Sequence, residues 1–229
     1  MPIAALILDF DGTIFDTETP IFEEWAAEYR RHGQELSLSF WGRSIGSHDV
    51  VDLAVHLAQL DGGTIDPPAL RREVRARVHT RLDTQPLRAG VEELVEESRE
   101  VGMPLAIASS STSAWVERWL EHHGLREPFA HVCGRDHVER VKPAPDLFLL
   151  AARKLGVAPE SCLVFEDSPN GVRAARDAGM PCVAVPNPVT RRLPMPEVEL
   201  RLETLEGVGL AEILDRVGGG PRLSGATAS

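Results

Sequence analysis

The segment Leu6–Glu18, LILDFDGTIFDTE, determines how the rest of the chain is interpreted. It opens with an apolar run that predicts a buried β-strand. Asp9 and Asp11 follow where this strand ends, with Gly12 beside them. Two carboxylates at this spacing can act as nucleophile and proton donor, or both can face a metal ion. Since Asp before Gly is also common in turns, this motif alone leaves a structural role open.

Three later segments place polar residues at or beyond the ends of apolar runs. They are IASSS (Ile107–Ser111), VKPAPD (Val141–Asp146) and VFEDSPNG (Val164–Gly171). Together with the first segment, they resemble the four signature motifs of the haloacid dehalogenase superfamily of phosphotransferases. The resemblance is to the branch that carries a helical cap inserted after the first motif. It covers the chain from about residue 3 to residue 185, and four spaced motifs make it specific.

The composition limits the kind of molecule. A chain of 229 residues fits one large domain or two small ones, and its formal net charge of −11 argues against nucleic-acid binding. No apolar run approaches the ~20 residues of a membrane span, and the N-terminus lacks the features of a secretory signal. The three cysteines have no metal-binding spacing and are interpreted as buried thiols. We therefore expect a cytoplasmic protein without nucleic-acid or membrane partners, whose oligomeric state the sequence leaves open.

Residues 16–85 show helical patterns and no strand pattern. The first predicted helix is capped by Thr19 and ends before Gly33, the second begins at Ser47 and ends at the Asp61 turn, and the third begins at Asp66. The segment is therefore predicted to form an all-helical cap domain.

Helix and strand patterns alternate from residue 90 onward, which is typical of a doubly wound parallel sheet. Residues 1–15 and 86–215 are predicted to form this Rossmann-like α/β core, and the Gly/Ser-rich residues 216–229 a flexible tail. Ligands bind such sheets at the carboxyl ends of the strands, near the point where strand order reverses. Because all four motifs follow strands, we expect them to converge there.

The resemblance and the chemistry of these residues together imply a role for each motif. Asp9 is the candidate nucleophile that forms an aspartyl phosphate, and Asp11 is the candidate acid and base. Lys142 supplies positive charge. The hydroxyls and amides that precede the helix after residue 112 are suited to phosphate oxygens. The candidate phosphate-binding residues are Gly12, Ser109, Ser110 and Lys142.

This concentration of carboxylates requires a cation, because a phosphate would otherwise be repelled. A hard oxygen donor set favours Mg²⁺, which is the expected cofactor. The candidate ligands are Asp9, the backbone carbonyl of Asp11, Asp167 and Glu166. Of these, Glu166 is expected to act in the outer shell or through a water molecule rather than by direct coordination.

The expected function is a Mg²⁺-dependent phosphatase that hydrolyses a small phosphorylated metabolite, such as a sugar phosphate. The chain also resembles β-phosphoglucomutases over its length, so a phosphomutase is the alternative. Ile21, however, stands where those enzymes carry a cap histidine, which favours hydrolysis. A non-catalytic protein that retains the fold is the least favoured reading, because none of the chemical residues is missing.

The segment that joins the first two cap helices is the candidate selector of the substrate. It combines an aromatic residue with hydrogen-bond donors, and its candidate residues are Trp41, Arg43, Ser44 and His48. The alternative for Trp41 is a core position in the cap.

If Arg43 selects the substrate, Arg43→Ala should change kcat/KM for at least one phosphorylated substrate by more than about twofold. Steady-state kinetics on a substrate panel would measure this. A change below that level for every substrate would exclude the role.

Overall fold

The computed structural model describes residues 2–42, 45 and 51–218. They form an α/β core around a six-stranded, all-parallel sheet, with a helical segment between the first strand and the first core helix. The strands are β1 (Ala5–Leu8), β2 (Leu105–Ala108), β3 (Phe129–Cys133), β4 (Cys162–Glu166), β5 (Cys182–Ala184) and β6 (Leu200–Arg201). The helices are α1 (Glu18–Arg31), α2 (Leu38–Trp41), α3 (Leu53–Leu60), α4 (Pro67–Leu82), α5 (Val91–Glu100), α6 (Ser113–His122), α7 (Asp146–Leu155), α8 (Pro169–Asp177) and α9 (Leu210–Arg216).

The strand order β3-β2-β1-β4-β5-β6 places the first strand in the middle of the sheet. The chain builds outward from β1 to β3 and then returns to β4 on the other side of β1. Strand order therefore reverses between β1 and β4, where a doubly wound sheet binds its ligand. Leu8 pairs with Phe165, and the Asp9 amide donates to the Phe165 carbonyl at 2.9 Å. The acidic residues that follow these two strands consequently leave the sheet side by side.

Both faces of the sheet are covered, which explains why β1 is apolar at every position. Leu6 and Leu8 belong to the larger apolar cluster, which also contains side chains of α5, α6 and α9. Ala5 and Ile7 point to the other face and pack with side chains of α7 and α8. This arrangement confirms the predicted doubly wound α/β fold with an inserted helical segment.

The helical segment is held by an apolar seam and by ion pairs between α1 and α4. Tyr29 of α1 and Val74 of α4 are buried in the same cluster. Beside this seam, Arg77 Nε donates to Glu24 Oε2 at 3.0 Å, and Arg77 Nη2 donates to Glu28 Oε2 at 2.5 Å. Cross-helix pairs of this kind, with Glu28 largely shielded from solvent, fix the register of α1 on α4.

One predicted helix start in this segment differs from the structure, and another lies outside the described residues. The N-cap of α1 is Thr17 rather than Thr19, because the Asp16 carboxylate accepts the Thr19 amide at 3.0 Å and begins the helix earlier. The second predicted helix was to begin at Ser47, which lies outside the described residues, and α3 begins at Leu53 with Asp52 as its cap. The short helix α2 was not predicted.

The ends of the predicted units can be compared with these elements. The tail predicted for 216–229 begins too early, because Arg216 is the last residue of α9, and residues 219–229 lie outside the described part. The cysteines at 133, 162 and 182 are buried and unpaired, as predicted. None of the helices in the described ranges has both the length and the apolar character of a membrane span.

Gly90 joins the helical segment to the core at a close approach of two backbone segments. Its φ is +83°, and a Cβ would lie 2.2 Å from the Leu205 carbonyl carbon. Gly90→Ala should therefore lower the free energy of unfolding by at least about 2 kcal/mol more than Gly102→Ala. Gly102 is the matched control, because its φ is +67° and nothing lies within 4 Å of its Cβ position. Chemical denaturation measures the free energy of unfolding of both variants. An equal loss in the two variants would mean that the close approach at Gly90 does not affect stability.

Candidate active site

A cavity of about 480 Å³ opens where β1, β2 and β4 end. Its walls come from both the core and the helical segment. Five of the predicted catalytic, phosphate-binding and metal-binding residues line it from the core side, namely Asp9, Asp11, Ser109, Ser110 and Asp167. The residues from the helical segment are Thr17, Glu18, Ile21, Trp41 and Ile45. The structure thus brings the sequence motifs together at the reversal point of the sheet.

Lys142 is a buried cation placed between two acids. Its side chain is fully shielded from solvent, and its Nζ donates to Asp9 Oδ1 at 2.5 Å and to Glu166 Oε1 at 2.7 Å. The ammonium also lies 4.7 Å from the centre of the Phe148 ring. These two hydrogen-bonded ion pairs hold the buried Lys142 ammonium in one position.

Glu166 is held mainly by donors of its own chain segment. Its Oε2 accepts the Asp167 amide at 2.9 Å, the Ser168 amide at 2.8 Å and the Ser168 hydroxyl at 3.0 Å. Ser168 in turn caps α8 by accepting the Gly171 amide at 3.0 Å. With Lys142 on Oε1, both Glu166 oxygens have protein donors, and the carboxylate fixes how β4 leads into α8.

Asp167 is oriented by two neighbouring polar side chains. Asn187 Nδ2 donates to Asp167 Oδ2 at 2.8 Å, and Thr13 Oγ1 lies 3.5 Å from Oδ1. Gly12 approaches the same carboxylate so closely that a Cβ there would lie 2.5 Å from Oδ2. With its φ of +90°, position 12 requires glycine for both backbone conformation and space.

Asp11 lies at the mouth of the cavity and accepts three hydrogen bonds. Thr17 Oγ1 and Trp115 Nε1 both donate to its Oδ1 at 2.9 Å. Ser109 Oγ donates to Oδ2 at 3.1 Å and accepts the Ser111 amide at 2.9 Å. The first turn of α6 is capped by Thr112, so the serines before it stand beside a helix N-terminus.

Comparison with known proteins gives this arrangement a family. A model of haloacid dehalogenase-like hydrolases matches residues 6–185. The chain belongs to this family. It is 41% identical over 215 residues to the protein YhcW of Bacillus subtilis, which is named as a phosphatase, covering 94% of this chain and 98% of the relative. It is also 39% identical over 186 residues to the fructose-1-phosphate phosphatase YqaB of Escherichia coli, covering 80% and 96%.

Solved structures agree with this assignment. The crystal structure of CbbY from Rhodobacter sphaeroides in complex with xylulose-(1,5)bisphosphate superposes with a TM-score of 0.70 at 26% identity. The match covers 92% of this chain and 98% of CbbY. The predicted family is therefore confirmed, and so is the predicted enzyme class, a hydrolase of the phosphatase type.

The electrostatics of this haloacid dehalogenase-like site follow from burying several acids together. Burial raises the pKa of Asp9 to about 7, although the Lys142 ammonium acts in the opposite direction. Burial also raises the pKa of Asp167 well above its usual value, and the charges of Glu166 and Asp9 add to this effect. Burial lowers the pKa of Lys142, but Asp9 and Glu166 outweigh it and the net shift is upward. The protein alone thus stabilises its cation and disfavours charge on the two aspartates.

A divalent metal ion fits this donor set. Carboxylate oxygens of Asp9, Glu166 and Asp167 all lie within 4.8 Å of one another. They are hard oxygen donors, which Mg²⁺ prefers, and a cation would favour the ionised forms that burial disfavours. Asp9 and Asp167 are the residues best placed to hold it, since the two Glu166 oxygens already accept four protein hydrogen bonds.

Several residues of the site were not anticipated from the sequence. Glu18 lines the cavity, and burial together with Asp11 raises its pKa to about 8. Its Oε2 is buried and has no hydrogen-bond partner among the described residues. Arg88 donates to the Gly12 and Val185 carbonyls at 2.6 Å and so holds the loop that follows β1. Glu18 is the last acidic residue of the first motif, and its position in this cluster of acids is the sequence feature that could have predicted its place in the site.

The predicted selector residues are only partly within the described structure. Trp41 lines the cavity, and its buried Nε1 has no partner in the ranges described. Arg43, Ser44 and His48 lie outside those ranges, so their role stays a prediction. Ile45 also lines the cavity, and its carbonyl accepts Asn170 Nδ2 from α8 at 2.8 Å.

The stability of the metal-free protein should fall as pH rises from about 4 to 8. A carboxyl whose folded pKa of about 7 exceeds its ordinary value of 3.8 stabilises the fold most below 3.8, and this stability is lost as pH rises through 7. Mg²⁺ should therefore raise the Tm of EDTA-treated protein by at least about 4 °C at pH 8, and by less than half as much at pH 5.

Asp167→Asn should remove most of this magnesium response and raise the metal-free Tm at pH 8, because it removes one of the crowded charges. Asp177→Asn is the control, since Asp177 is exposed on α8. Differential scanning calorimetry measures all three proteins. A full magnesium response in Asp167→Asn would contradict the assigned site.

Proposed function

We propose that the protein is a Mg²⁺-dependent phosphatase that hydrolyses a small phosphorylated metabolite through an aspartyl phosphate on Asp9. The observation that carries this proposal is the placement of Asp9. It stands beside the buried Lys142 ammonium at 2.5 Å and belongs to the same group of carboxylates as Asp167. A nucleophilic carboxylate needs this surrounding positive charge in order to approach a phosphate dianion.

The residues divide the reaction into two displacements. In the first, an Asp9 oxygen forms a bond to phosphorus while the bond to the leaving oxygen breaks, and Asp11 gives its proton to that oxygen. In the second, Asp11 takes a proton from water as the water oxygen attacks phosphorus, which releases Asp9 and inorganic phosphate. When bound, Mg²⁺ would supply positive charge that offsets the acids and the phosphate.

The phosphate oxygens are assigned to donors around the mouth of the cavity. The Ser109 hydroxyl lies at the cavity wall beside Asp11, and Ser110 lines the same wall. The N-terminus of α6 adds the positive end of its helix dipole on this side, whereas the Gly12 amide already donates to the Phe15 carbonyl at 2.7 Å. Lys142 supplies a buried ammonium that contacts the proposed nucleophile. The proposed set therefore keeps Ser109, Ser110 and Lys142 of the phosphate-binding residues predicted from the sequence, and Gly12 contributes space rather than its amide.

The organic part of the substrate is proposed to be a hydroxylated compound such as a sugar phosphate. Two polar groups in the cavity wall lack partners among the described residues, the Glu18 carboxyl at Oε2 and the Trp41 indole. With a raised pKa, Glu18 can act as a donor near neutral pH, and substrate hydroxyls can satisfy both groups. The relatives named for fructose 1-phosphate or solved with xylulose bisphosphate support this class.

Hydrolysis is preferred over phosphoryl return to a sugar. Ile21 lines the cavity, so this wall is apolar where the mutases that the chain resembles carry a histidine. The proposal includes a cytoplasmic location, for which three unpaired cysteines are suitable.

The proposal is tested with a chromogenic phosphate ester in the presence of Mg²⁺ or EDTA. Asp9→Asn removes the nucleophile at nearly constant size, and EDTA removes the cation, so each should lower kcat by at least about 100-fold. Trapping of a phosphorylated aspartate in the wild type, absent in Asp9→Asn, identifies the intermediate. Equal rates for the wild type and Asp9→Asn would end the enzyme hypothesis.

A panel of phosphorylated sugars, polyols, glycolate and nucleotides, ranked by kcat/KM, identifies the substrate class. Phosphate release without interconversion of positional isomers is the expected result. Clean interconversion of sugar phosphate isomers would instead establish the mutase.

A further inference from the structure

Trp115 links the acid and base residue of this site to the helical segment. It lies in the first turn of α6, outside the sequence motifs, and is partly buried at the cavity wall. Its Nε1 donates to Asp11 Oδ1 at 2.9 Å. Its ring meets His79 of α4 edge-on at 5.5 Å and Trp119 of α6 at 5.6 Å. Packing on these two sides restricts where the indole N–H can point.

The two oxygens of Asp11 have different surroundings. Oδ1 accepts from Trp115 on α6 and from Thr17 at the start of α1, both at 2.9 Å. Oδ2 accepts a longer bond, from Ser109 Oγ at 3.1 Å. Ser109 is also one of the proposed phosphate ligands. If its hydroxyl turned to a bound phosphate, Oδ2 would be freed while Oδ1 stayed anchored.

We propose that Trp115 is a positioning residue that anchors Asp11 through Oδ1, so that Oδ2 faces the leaving oxygen and carries the proton. An indole N–H can only donate, so a proton on Oδ1 would face another hydrogen atom. The proton of the acid form therefore resides on Oδ2. It moves from Oδ2 to the leaving oxygen as the phosphorus–oxygen bond breaks, and Oδ2 later accepts a proton from water. This inference rests on the proposed role of Asp11 as acid and base.

An anchored acid matters most when the leaving group is a poor one. A nitrophenolate leaves readily without protonation, whereas the alkoxide of a sugar or glycerol requires a proton as it departs. Loss of the anchor should therefore be visible in the dependence on leaving group. A general loss of packing would lower both rates alike.

Trp115→Phe tests this directly, because phenylalanine keeps the ring contacts with His79 and Trp119 but lacks the N–H. We expect kcat for an alkyl phosphate such as glycerol phosphate to fall at least about tenfold, with KM changed less than about threefold. With p-nitrophenyl phosphate, kcat should fall less than about threefold.

Trp119→Phe is the matched control. Trp119 is fully buried in the same aromatic group, and its Nε1 has no hydrogen-bond partner among the residues described. This variant removes an indole N–H that contacts no acid, so any loss of rate should be equal for the two leaving groups. An equal loss in Trp115→Phe as well would overturn the proposal.

Asp11→Asn, measured with the same two substrates, separates this inference from the proposed function. If Asp11→Asn shows the leaving-group dependence and Trp115→Phe does not, the positioning role is wrong while Asp11 remains the acid. If Asp11→Asn loses no activity with either substrate, both proposals fail.

A second measurement does not depend on activity. The four tryptophans give four indole N–H signals in a ¹⁵N-labelled sample, and Trp115→Phe identifies one of them. Asp11→Ala should shift this signal more than the other three, because only this N–H loses a carboxylate acceptor. An unmoved signal would overturn the assignment even if Trp115→Phe proved too unstable for kinetics.

Discussion

The site depends on a buried ammonium placed between two buried carboxylates. Lys142 contacts Asp9 on one side and Glu166 on the other, and Glu166 is in turn held by the amides that begin α8. Breaking a buried pair of this kind typically costs about 3–5 kcal/mol, because a charge is left without a partner. The same contacts therefore shape the proposed nucleophile, the exit from β4 and the start of α8. Stability and chemistry cannot be varied separately here.

Close backbone approaches complete this constraint. Gly12 leaves room for the Asp167 carboxylate, and Gly171 leaves room for Glu166, where a Cβ would lie 1.7 Å from Oε1. Neither position has space for a larger residue unless the acid moves. The positions of Asp167 and Glu166 thus depend on the space left by these two glycines as well as on hydrogen bonds. Together these features keep several carboxylates close to one another at the end of a buried sheet.

The fold and the core of the site were predictable because they depend on simple patterns. The apolar run before Asp9 and the run before Glu166 predict strands, and parallel strands bring their carboxyl ends together. The predicted start of α1 was wrong because the Asp16 side chain accepts the Thr19 amide and begins the helix earlier. Glu18 is therefore in the first turn of α1, where it lines the cavity. The contact of Trp115 with Asp11 was not predictable, since periodicity identifies a helix face but not the partner of a polar ring atom 104 residues away.

The central position of β1 has a consequence for how the chain is made. This strand leaves the ribosome well before its sheet neighbours, which begin only at Leu105 and Cys162. During synthesis this wholly apolar strand therefore lacks a partner on one edge until β2 is made and on the other edge until β4 is made, and such unpaired edges favour aggregation. Slow or interrupted translation before β4 would prolong this exposure, which follows from the order of the strands and not from the final stability.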